Sequence, residues 1–272
     1  MRLGKFSGVV CWFSGGRDSA VACYIAKRVA EARGWDFRLV HIYTRTPRPR
    51  DVDEYIQTYA RWLNARLEVI MPKRSFAEYA AEYSYWPVLY YIRWCYYRLK
   101  RDVVVYFLRN APAALEALHV FAIRREESLF REREYRSVFG VKCYEEGLCV
   151  RYWLPLLYAD SITLSKLVKK LNIPKSPVWE KLGSSGECMC LAGMSMKSLI
   201  RLAVHYPEVV EELAKIDDVI QAGRRKGPSY PAPLIDKRLT LRQWWEQFKR
   251  QPRLDDYLDN YEGKGCQGSC IL

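Results

Sequence analysis

Long apolar stretches are the first thing that this sequence lacks. The longest runs, such as Val103 to Leu108 and Leu118 to Ile123, fall well short of the roughly 20 residues that a membrane-spanning helix needs. At the N-terminus, no charged segment leads into an apolar stretch with a small-residue cleavage site, so no secretion signal is predicted. We therefore expect a cytoplasmic protein that has no membrane partner.

Histidine is also scarce. There are 3 histidines in 272 residues, and His41 and His119 fall in predicted strands, where a core role is more usual than a catalytic one. A mechanism centred on histidine is therefore not expected. Disorder is excluded too, because half of the residues are apolar and 14% are aromatic.

Cysteine, by contrast, is abundant. The count is 9, which is odd, and the spacing is irregular, so without a secretion signal no disulfide framework is predicted. Metal or redox chemistry is the first interpretation. Cys11 and Cys23 are set apart from it, because their apolar strand and helix contexts predict packing residues.

The charge is strongly positive. Lys and Arg number 44 against 31 Asp and Glu, which gives a formal net charge of +13. Arginine clusters in residues 45–50 and 124–136, and its planar fork suits phosphate. Two interpretations of this basic charge stay open: a surface that binds nucleic acid, and a thermophile-like surface of exposed Arg and Glu.

Apolar runs and amphipathic stretches alternate along the first half of the chain. Strands are predicted at residues 8–13, 37–43, 67–71 and 118–123. Helices are predicted at 19–33, at 51–66 with an acidic start at Asp51 and Glu54, after the Ser75 and Glu78 capping pattern, and within the aromatic segment 86–110. This alternation predicts an α/β fold: a parallel sheet with helices on both faces, Rossmann-like.

The second half is expected to be mainly helical. The charged segment 124–152 reads as an arm or insertion rather than sheet, and further helices are predicted at 160–171, 196–206, 207–220 and 241–250. We expect a nucleotide-binding domain at 1–195, with a cysteine-bearing insertion at about 137–153. A helical extension at 196–272 would end in a Cys-x₃-Cys tail after a linker at 223–233.

The most specific signal is a loop between the first strand and the first helix. It consists of Ser14, Gly15, Gly16, Arg17, Asp18 and Ser19. Adjacent glycines let the backbone approach a ligand, and amide groups, hydroxyls and the helix N-terminus together form an anion site. Asp18 fits beside phosphates if Mg²⁺ bridges them. The spacing matches neither GxxxxGK[ST] nor GxGxxG.

SGGRDS resembles the SGGxDS loop of the PP-loop ATP pyrophosphatases, the adenine nucleotide α-hydrolase-like fold. Two more stretches are similar to the phosphoadenosine phosphosulfate (PAPS) reductase-like branch of that family. They are Arg93-x-Cys95-x₄-Lys100 and Arg124-x-x-Glu127-Ser128-x-x-Arg131, although Ala122 replaces the leading glycine of the second. The resemblance covers about residues 8–195. It implies binding of ATP and convergence of Arg93, Lys100, Arg124 and Arg131 on the nucleotide, with Glu127 orienting them.

The resemblance also gives the cysteines a role. Cys95, Cys188 and Cys190 match positions that hold an iron–sulfur cluster in relatives, although C-x-C replaces C-x-x-C. Cys143, Cys149, Cys266 or Cys270 would supply the fourth thiolate. Zinc or free thiols are the alternatives. Cys266 and Cys270 also resemble, loosely, the nucleophilic tail cysteine of sulfonucleotide reductases.

Three functions remain open on the sequence. The first is an ATP-dependent enzyme of sulfur metabolism that adenylates a substrate, with RNA as one candidate, for sulfur transfer from a sulfur donor or with a ferredoxin- or thioredoxin-like reductant. The intact SGGxDS loop favours it over the second, a sulfonucleotide reductase. The third is a non-catalytic nucleic-acid- or ribosome-binding protein. The oligomeric state is left open.

Overall fold

A six-stranded sheet lies at the centre of the computed structural model, which describes residues 6–88, 93–144, 147–192, 194–223 and 239–250. The strands are β1 (Gly8–Trp12), β2 (Asp36–Ile42), β3 (Leu67–Ile70), β4 (Leu118–Val120), β5 (Phe139–Cys143) and β6 (Cys149–Trp153). Their order is β3-β2-β1-β4-β6-β5, and every neighbouring pair is parallel except β5 with β6. The predicted α/β class is confirmed.

The central strand β1 is buried along its whole length, because each face of the sheet carries its own apolar layer. Alternate residues point to opposite faces. Val9 and Cys11 belong to one apolar cluster, while Val10 and Trp12 belong to the other. This two-sided burial explains why the strand reads as a continuous apolar run rather than as alternating polar and apolar residues.

Helices connect the strands and cover both faces. They are α1 (Arg17–Arg33), α2 (Arg50–Trp62), α3 (Phe76–Tyr83), α4 (Trp94–Tyr96), α5 (Asp102–Asn110), α6 (Pro112–Leu115), α7 (Leu129–Glu134), α8 (Ser161–Lys170), α9 (Pro177–Leu182), α10 (Met196–His205), α11 (Pro207–Gly223) and α12 (Leu241–Lys249). A π-helical turn, Tyr97–Arg101, joins α4 to α5, and a 3₁₀ turn, Arg125–Glu127, precedes α7. The helical spacing predicted for the aromatic segment is seen from Trp94 onward.

Of two predicted helix starts, the one at Ser75 is confirmed and the one at Asp51 is not. Ser75 and Glu78 form the full capping box at α3, in which each side chain bonds the other residue's backbone amide. The start predicted at Asp51 is wrong, since α2 begins one residue earlier behind Pro49, which makes no side-chain cap. The Asp51 carboxylate instead accepts hydrogen bonds from Tyr206 (2.7 Å) and Lys181 (3.3 Å).

The segment predicted as an arm outside the sheet is part of it. β6 pairs in parallel with β4, and β5 turns back antiparallel to form the edge. A disulfide joins the facing residues Cys143 and Cys149. The charged composition misled the prediction because this edge hairpin is only half-buried and tolerates polar side chains.

A second disulfide joins Cys11 in β1 to Cys23 in α1. Both side chains are fully buried, but the expectation of simple packing residues is wrong. The sequence argued against a disulfide framework, whereas the described residues contain two disulfides. The strand and the helix that follows it lie face to face across the loop between them, which brings two cysteines 12 positions apart into bonding distance.

The C-terminal helices pack on the same apolar cluster as α1, α2 and α3. A buried carboxylate reinforces this contact: Asp217 of α11 accepts hydrogen bonds from Trp86 Nε1 (2.8 Å), the Leu241 amide (2.7 Å) and Gln221 Nε2 (3.1 Å). The domain boundary at residue 195 stays a prediction. Among the described residues, no helix has the length and apolarity that crossing a membrane requires.

Candidate active site

The loop of residues 14–19, which we call the glycine loop, lies where the chain order of the sheet reverses. From β1 the chain proceeds to β2 and β3 on one side and later returns to β4 on the other side. Parallel α/β sheets bind ligands outside the carboxyl ends of the strands at such a reversal. The loops that follow β1 and β4 therefore share one end of the sheet, and they carry Asp18 and Arg124.

Hydrogen bonds between residues of the glycine loop itself hold the loop in shape. The Ser19 hydroxyl donates to the Gly16 carbonyl (2.9 Å), and the Ser14 amide donates to Ser19 Oγ (3.2 Å). Gly15 has a φ of 76°, a conformation that side chains rarely adopt. Gly16 begins α1 without a side-chain cap, which leaves the first amides of this 17-residue helix for another acceptor. An anion is the natural acceptor there.

Arg124 connects this loop to the end of β4. Its side chain is 6% exposed, and its Nε lies 2.5 Å from Asp18 Oδ2. Its Nη1 also reaches Ser161 Oγ and the Ala159 carbonyl, both at 3.4 Å. Asp18 has a second cationic neighbour in Arg17, at 3.4 Å. The fork of Arg124 is thus oriented by its partners before any ligand arrives.

An open cleft of about 490 Å³ surrounds these groups, and we call it the loop cleft. Its predicted members are Ser14, Gly16, Arg17, Asp18, Ser19, Arg124, Glu127 and Arg131. Its other lining residues are Ala122, Glu126, Ser161, Trp179, Gly183, Ser184 and Ser185. Arg131 is buried and paired with Glu127. The cleft thus gathers three arginines beside an open helix N-terminus.

The remaining predicted residues lie elsewhere. Gly15 turns the loop and faces Ile56. Ser128 caps α7 by accepting the Arg131 amide (3.2 Å), and it lines a neighbouring groove. The Arg93 guanidinium lies 5.0 Å from the centre of the Tyr96 ring and is not among the residues that line the loop cleft. Cys266 and Cys270 lie outside the described residues.

Lys100 borders a smaller cavity behind the loop, together with Ser14 and Glu187. Its Nζ lies 3.3 Å from Glu187 Oε2. The Glu187 carbonyl accepts hydrogen bonds from Thr46 (3.3 Å) and Thr44 (3.4 Å), whereas its Oε1 has no hydrogen-bond partner within the described part of the chain. Sequence reasoning missed Glu187, although a carboxylate directly before Cys188 was a visible signal.

Ser161 and Trp179 were missed as well. Ser161 lies in α8 and Trp179 in α9, far along the chain from the glycine loop, and neither residue belongs to a motif. They reach the loop cleft because α8 packs beside α1 and α9 beside α2. Only this packing identifies them.

The two histidines that lie in strands, His41 and His119, are buried. His119 accepts a hydrogen bond from Trp12 Nε1 (3.0 Å) at Nδ1, and its Nε2 donates to the Ala114 carbonyl (2.7 Å). Burial lowers the pKa of His119 to about 4. Burial also lowers the pKa of His41, whose Nδ1 lies 2.8 Å from the Phe13 carbonyl. Both imidazoles are therefore neutral at pH 7.

Cys95, Cys188 and Cys190 lie close together. Cys95 Sγ and Cys190 Sγ are 4.0 Å apart, and a hydrogen bond to Cys190, with burial, raises the pKa of Cys188. Within the described residues, these three belong to neither of the two disulfides. Cys143 and Cys149, named as candidate fourth ligands, are bonded to each other.

The described residues therefore do not fit a four-thiolate cluster. Across the described ranges, no three His, Cys, Asp or Glu side chains form a group that could hold a metal ion. Mg²⁺ is a different case, because it is usually bound through one or two carboxylates plus substrate phosphates. Asp18, with Glu126 and Glu127 in the same cleft, fits that manner of binding.

No protein-family model matches the chain, and no curated protein matches it. Among solved structures, a phosphoadenylyl-sulfate (PAPS) reductase from Candida auris, in a phosphate complex, matches with a TM-score of 0.49 and 13% identity. That match covers 66% of this chain and 80% of that chain. Candida glabrata FMN adenylyltransferase, in complex with FAD and inorganic pyrophosphate, matches with a TM-score of 0.43 and 12% identity, over 65% of this chain and 52% of that chain. This chain spans about half the length of the second enzyme.

Proposed function

We propose that this chain is an enzyme that binds ATP in the loop cleft and transfers its AMP group to an oxygen of a second substrate, releasing pyrophosphate. One observation carries the proposal: the open N-terminus of α1 at Gly16 shares a single cleft with Arg124 and Arg131. Helix amides and guanidinium forks are the two kinds of group that proteins use most effectively to hold phosphate oxygens.

The balance of charge in the cleft favours a nucleotide with its metal over a bare anion. Three arginines line the cleft, but so do three carboxylates, those of Asp18, Glu126 and Glu127. Carboxylates repel free phosphate, and a divalent cation between them removes the repulsion. When bound, Mg²⁺ would neutralise charge on the phosphate oxygens.

The reaction needs little covalent chemistry from the protein. An acceptor oxygen forms a bond to the α-phosphorus, the bond from that phosphorus to the bridging oxygen breaks, and pyrophosphate leaves with the bonding pair. The acceptor loses its proton to solvent. The amides of α1 hold the phosphates, while Arg124 and Arg131 offset the negative charge that develops on the leaving group.

We propose a sulfur-transfer step as well, and the position of the segment that carries Cys188 and Cys190 supports it. Residues Ser184 and Ser185 line the loop cleft, Glu187 lies behind it, and Cys188 and Cys190 follow directly. A sulfur nucleophile that displaces AMP from an activated acceptor would approach from this segment. RNA is the acceptor we favour, because the net charge of +13 and the arginine clusters at 45–50 and 124–136 suit a polyanionic substrate.

The test is pyrophosphate release from ATP, with AMP measured in parallel, in the presence and absence of bulk RNA. We expect RNA-dependent release that Asp18→Asn abolishes and that the matched variant Asp36→Asn, at the exposed start of β2, leaves intact. Turnover of PAPS to sulfite in place of ATP would refute adenylyl transfer in favour of a sulfonucleotide reductase. RNA binding without release of pyrophosphate from ATP would support the non-catalytic alternative.

A further inference from the structure

A second, mostly apolar cavity lies beside the loop cleft. It has a volume of about 200 Å³ and lies between the end of α8, the start of α9 and α2. We call it the side pocket, and its walls include Tyr55, Val168, Ile173, Pro174 and Trp179. The Tyr55 hydroxyl donates to the Pro174 carbonyl (3.0 Å), which ties two walls together. No step of the proposed reaction uses this cavity.

The side pocket and the loop cleft share a wall. Arg17 and Trp179 line both of them. The Arg17 guanidinium lies 4.8 Å from the centre of the Trp179 ring and also donates to Ser165 Oγ (3.2 Å). Because Arg17 belongs to the glycine loop, a group in the side pocket would lie directly beside a group bound in the loop cleft.

The size of the side pocket limits its occupant. Drug-sized ligands occupy roughly 300–1,000 Å³. A cavity of about 200 Å³ accommodates one ring system but not a whole nucleotide. Two aromatic walls, Tyr55 and Trp179, favour a flat ring over an aliphatic chain, since aromatic side chains stack on such rings.

The rim of the side pocket is basic. Lys169 and Lys175 line it, and Lys166 and Lys170 belong to the same helix as Lys169. One carboxylate, that of Glu180, lies among them and pairs with Lys175 at 3.4 Å, where both side chains are exposed. A flat ring that carries negative charge outside the pocket complements this arrangement.

We propose that the side pocket binds one base of a single-stranded nucleic acid, which is the acceptor of the proposed AMP transfer. This inference rests on the proposed function for the acceptor role but not for the binding site. Recognition of single strands combines aromatic stacking of a base with basic contacts to the backbone. The shared wall of Arg17 and Trp179 then places the adjoining sugar and phosphate of the strand next to the loop cleft.

The test measures binding rather than turnover. A fluorescein-labelled single-stranded RNA ten-mer is titrated with the full chain, and ATP affinity is measured separately by calorimetry. Val168→Phe fills the side pocket from a residue that does not line the loop cleft. It is expected to weaken RNA binding about tenfold, the effect of one stacked base, with ATP affinity unchanged. Val219→Phe, on the exposed face of α11, is the matched control and leaves both affinities unchanged.

If filling the pocket disturbs α8, a second variant tests the same inference by changing charge instead of volume. Lys169→Glu is expected to weaken RNA binding and to reduce its salt dependence, while Lys215→Glu on α11 has a smaller effect on both. An RNA duplex is expected to compete poorly, because its bases are stacked inside. A DNA ten-mer and uridine monophosphate distinguish the source of the base.

Different failures point to different errors. If Val168→Phe leaves RNA affinity unchanged, the side-pocket inference is wrong. If it weakens ATP binding instead, the pocket holds the adenine of ATP, which also overturns the inference. Displacement of the ten-mer by an equal concentration of uridine monophosphate would overturn a strand as the ligand. Pocket-dependent RNA binding without pyrophosphate release would uphold the binding site and refute the proposed function alone.

Discussion

Arg124 offers the most direct check on the loop cleft. Its side chain is almost fully buried, and it bonds Asp18 in the glycine loop at 2.5 Å. Replacing it in Arg124→Gln removes a positive charge and a planar fork from the phosphate site. The substitution weakens the hold on bound phosphate, and it also leaves Asp18 with the more distant Arg17 as its cationic partner.

The size of the effect follows from the kind of bond. Hydrogen bonds to charged groups contribute about 1.5–3 kcal/mol each. Removing one such hydrogen bond from the transition state lowers kcat/KM for ATP by roughly 10- to 150-fold. Arg124→Lys keeps the charge without the fork, so it is expected to recover only part of that decrease.

The neighbouring residue supplies the control. Arg125 pairs with Glu132 at 3.5 Å, and their side chains are 35% and 54% exposed. Exposed pairs contribute about 0–1 kcal/mol to stability, and Arg125 does not line the loop cleft, so Arg125→Gln should change kcat/KM by less than about fivefold. The assay is the initial rate of pyrophosphate release against ATP concentration. Arg124→Gln within about threefold of the parent, or Arg125→Gln equally impaired, would refute the role given to Arg124.

Three other perturbations test the fold that holds the site. The unfolded imidazole of His119 titrates at 6.5 and the folded one at about 4, so the unfolding free energy falls by roughly 3 kcal/mol as pH drops from 6.5 to 4, as urea unfolding should show. His119→Gln removes that slope. Cys23→Ser lowers the unfolding free energy by about 3 kcal/mol through loss of the bond to Cys11, measured in guanidinium. Asp217→Ala lowers it by about 2–4 kcal/mol, because the buried Trp86 and Leu241 donors lose their acceptor.

Each of these three has a matched variant. His205→Gln, on the exposed end of α10, is the matched variant for His119→Gln. Cys188→Ser breaks no disulfide and should change the unfolding free energy by less than about 1 kcal/mol. Asp218→Ala removes an exposed partner of Arg242 and should also cost less than about 1 kcal/mol. Equal effects within any pair would refute the physical reason given for it.

The first strand, the glycine loop and the first helix could be predicted because their determinants are local. A fully apolar strand is followed by SGGRDS and by an amphipathic stretch that ends at Gly34, where φ is 63°. The same applies to the Ser75 capping box, which depends on residues three positions apart. Backbone preference and short-range hydrogen bonds operate wherever such a segment lies.

The edge hairpin could not be predicted, because what it needs is an open sheet edge beside β4. β5 and β6 carry charged residues and alternate poorly, and only pairing with β4 makes them strands of this sheet. The Cys11–Cys23 bond is a similar case. Two apolar contexts gave no sign that one cysteine faces the other, which depends on how α1 packs back onto β1.

The sequence by itself determined the class of fold, the phosphate loop and the identity of most charged residues around it, because short motifs encode them. The tertiary structure decided which of those residues share a cleft. Arg124 reaches Asp18 across 106 positions of the chain, while Arg93, from an equally suggestive motif, lies outside the loop cleft. Trp179 and Glu187 reach their cavities only through packing. Contacts between distant segments depend on how whole helices and strands pack, and no local pattern specifies that.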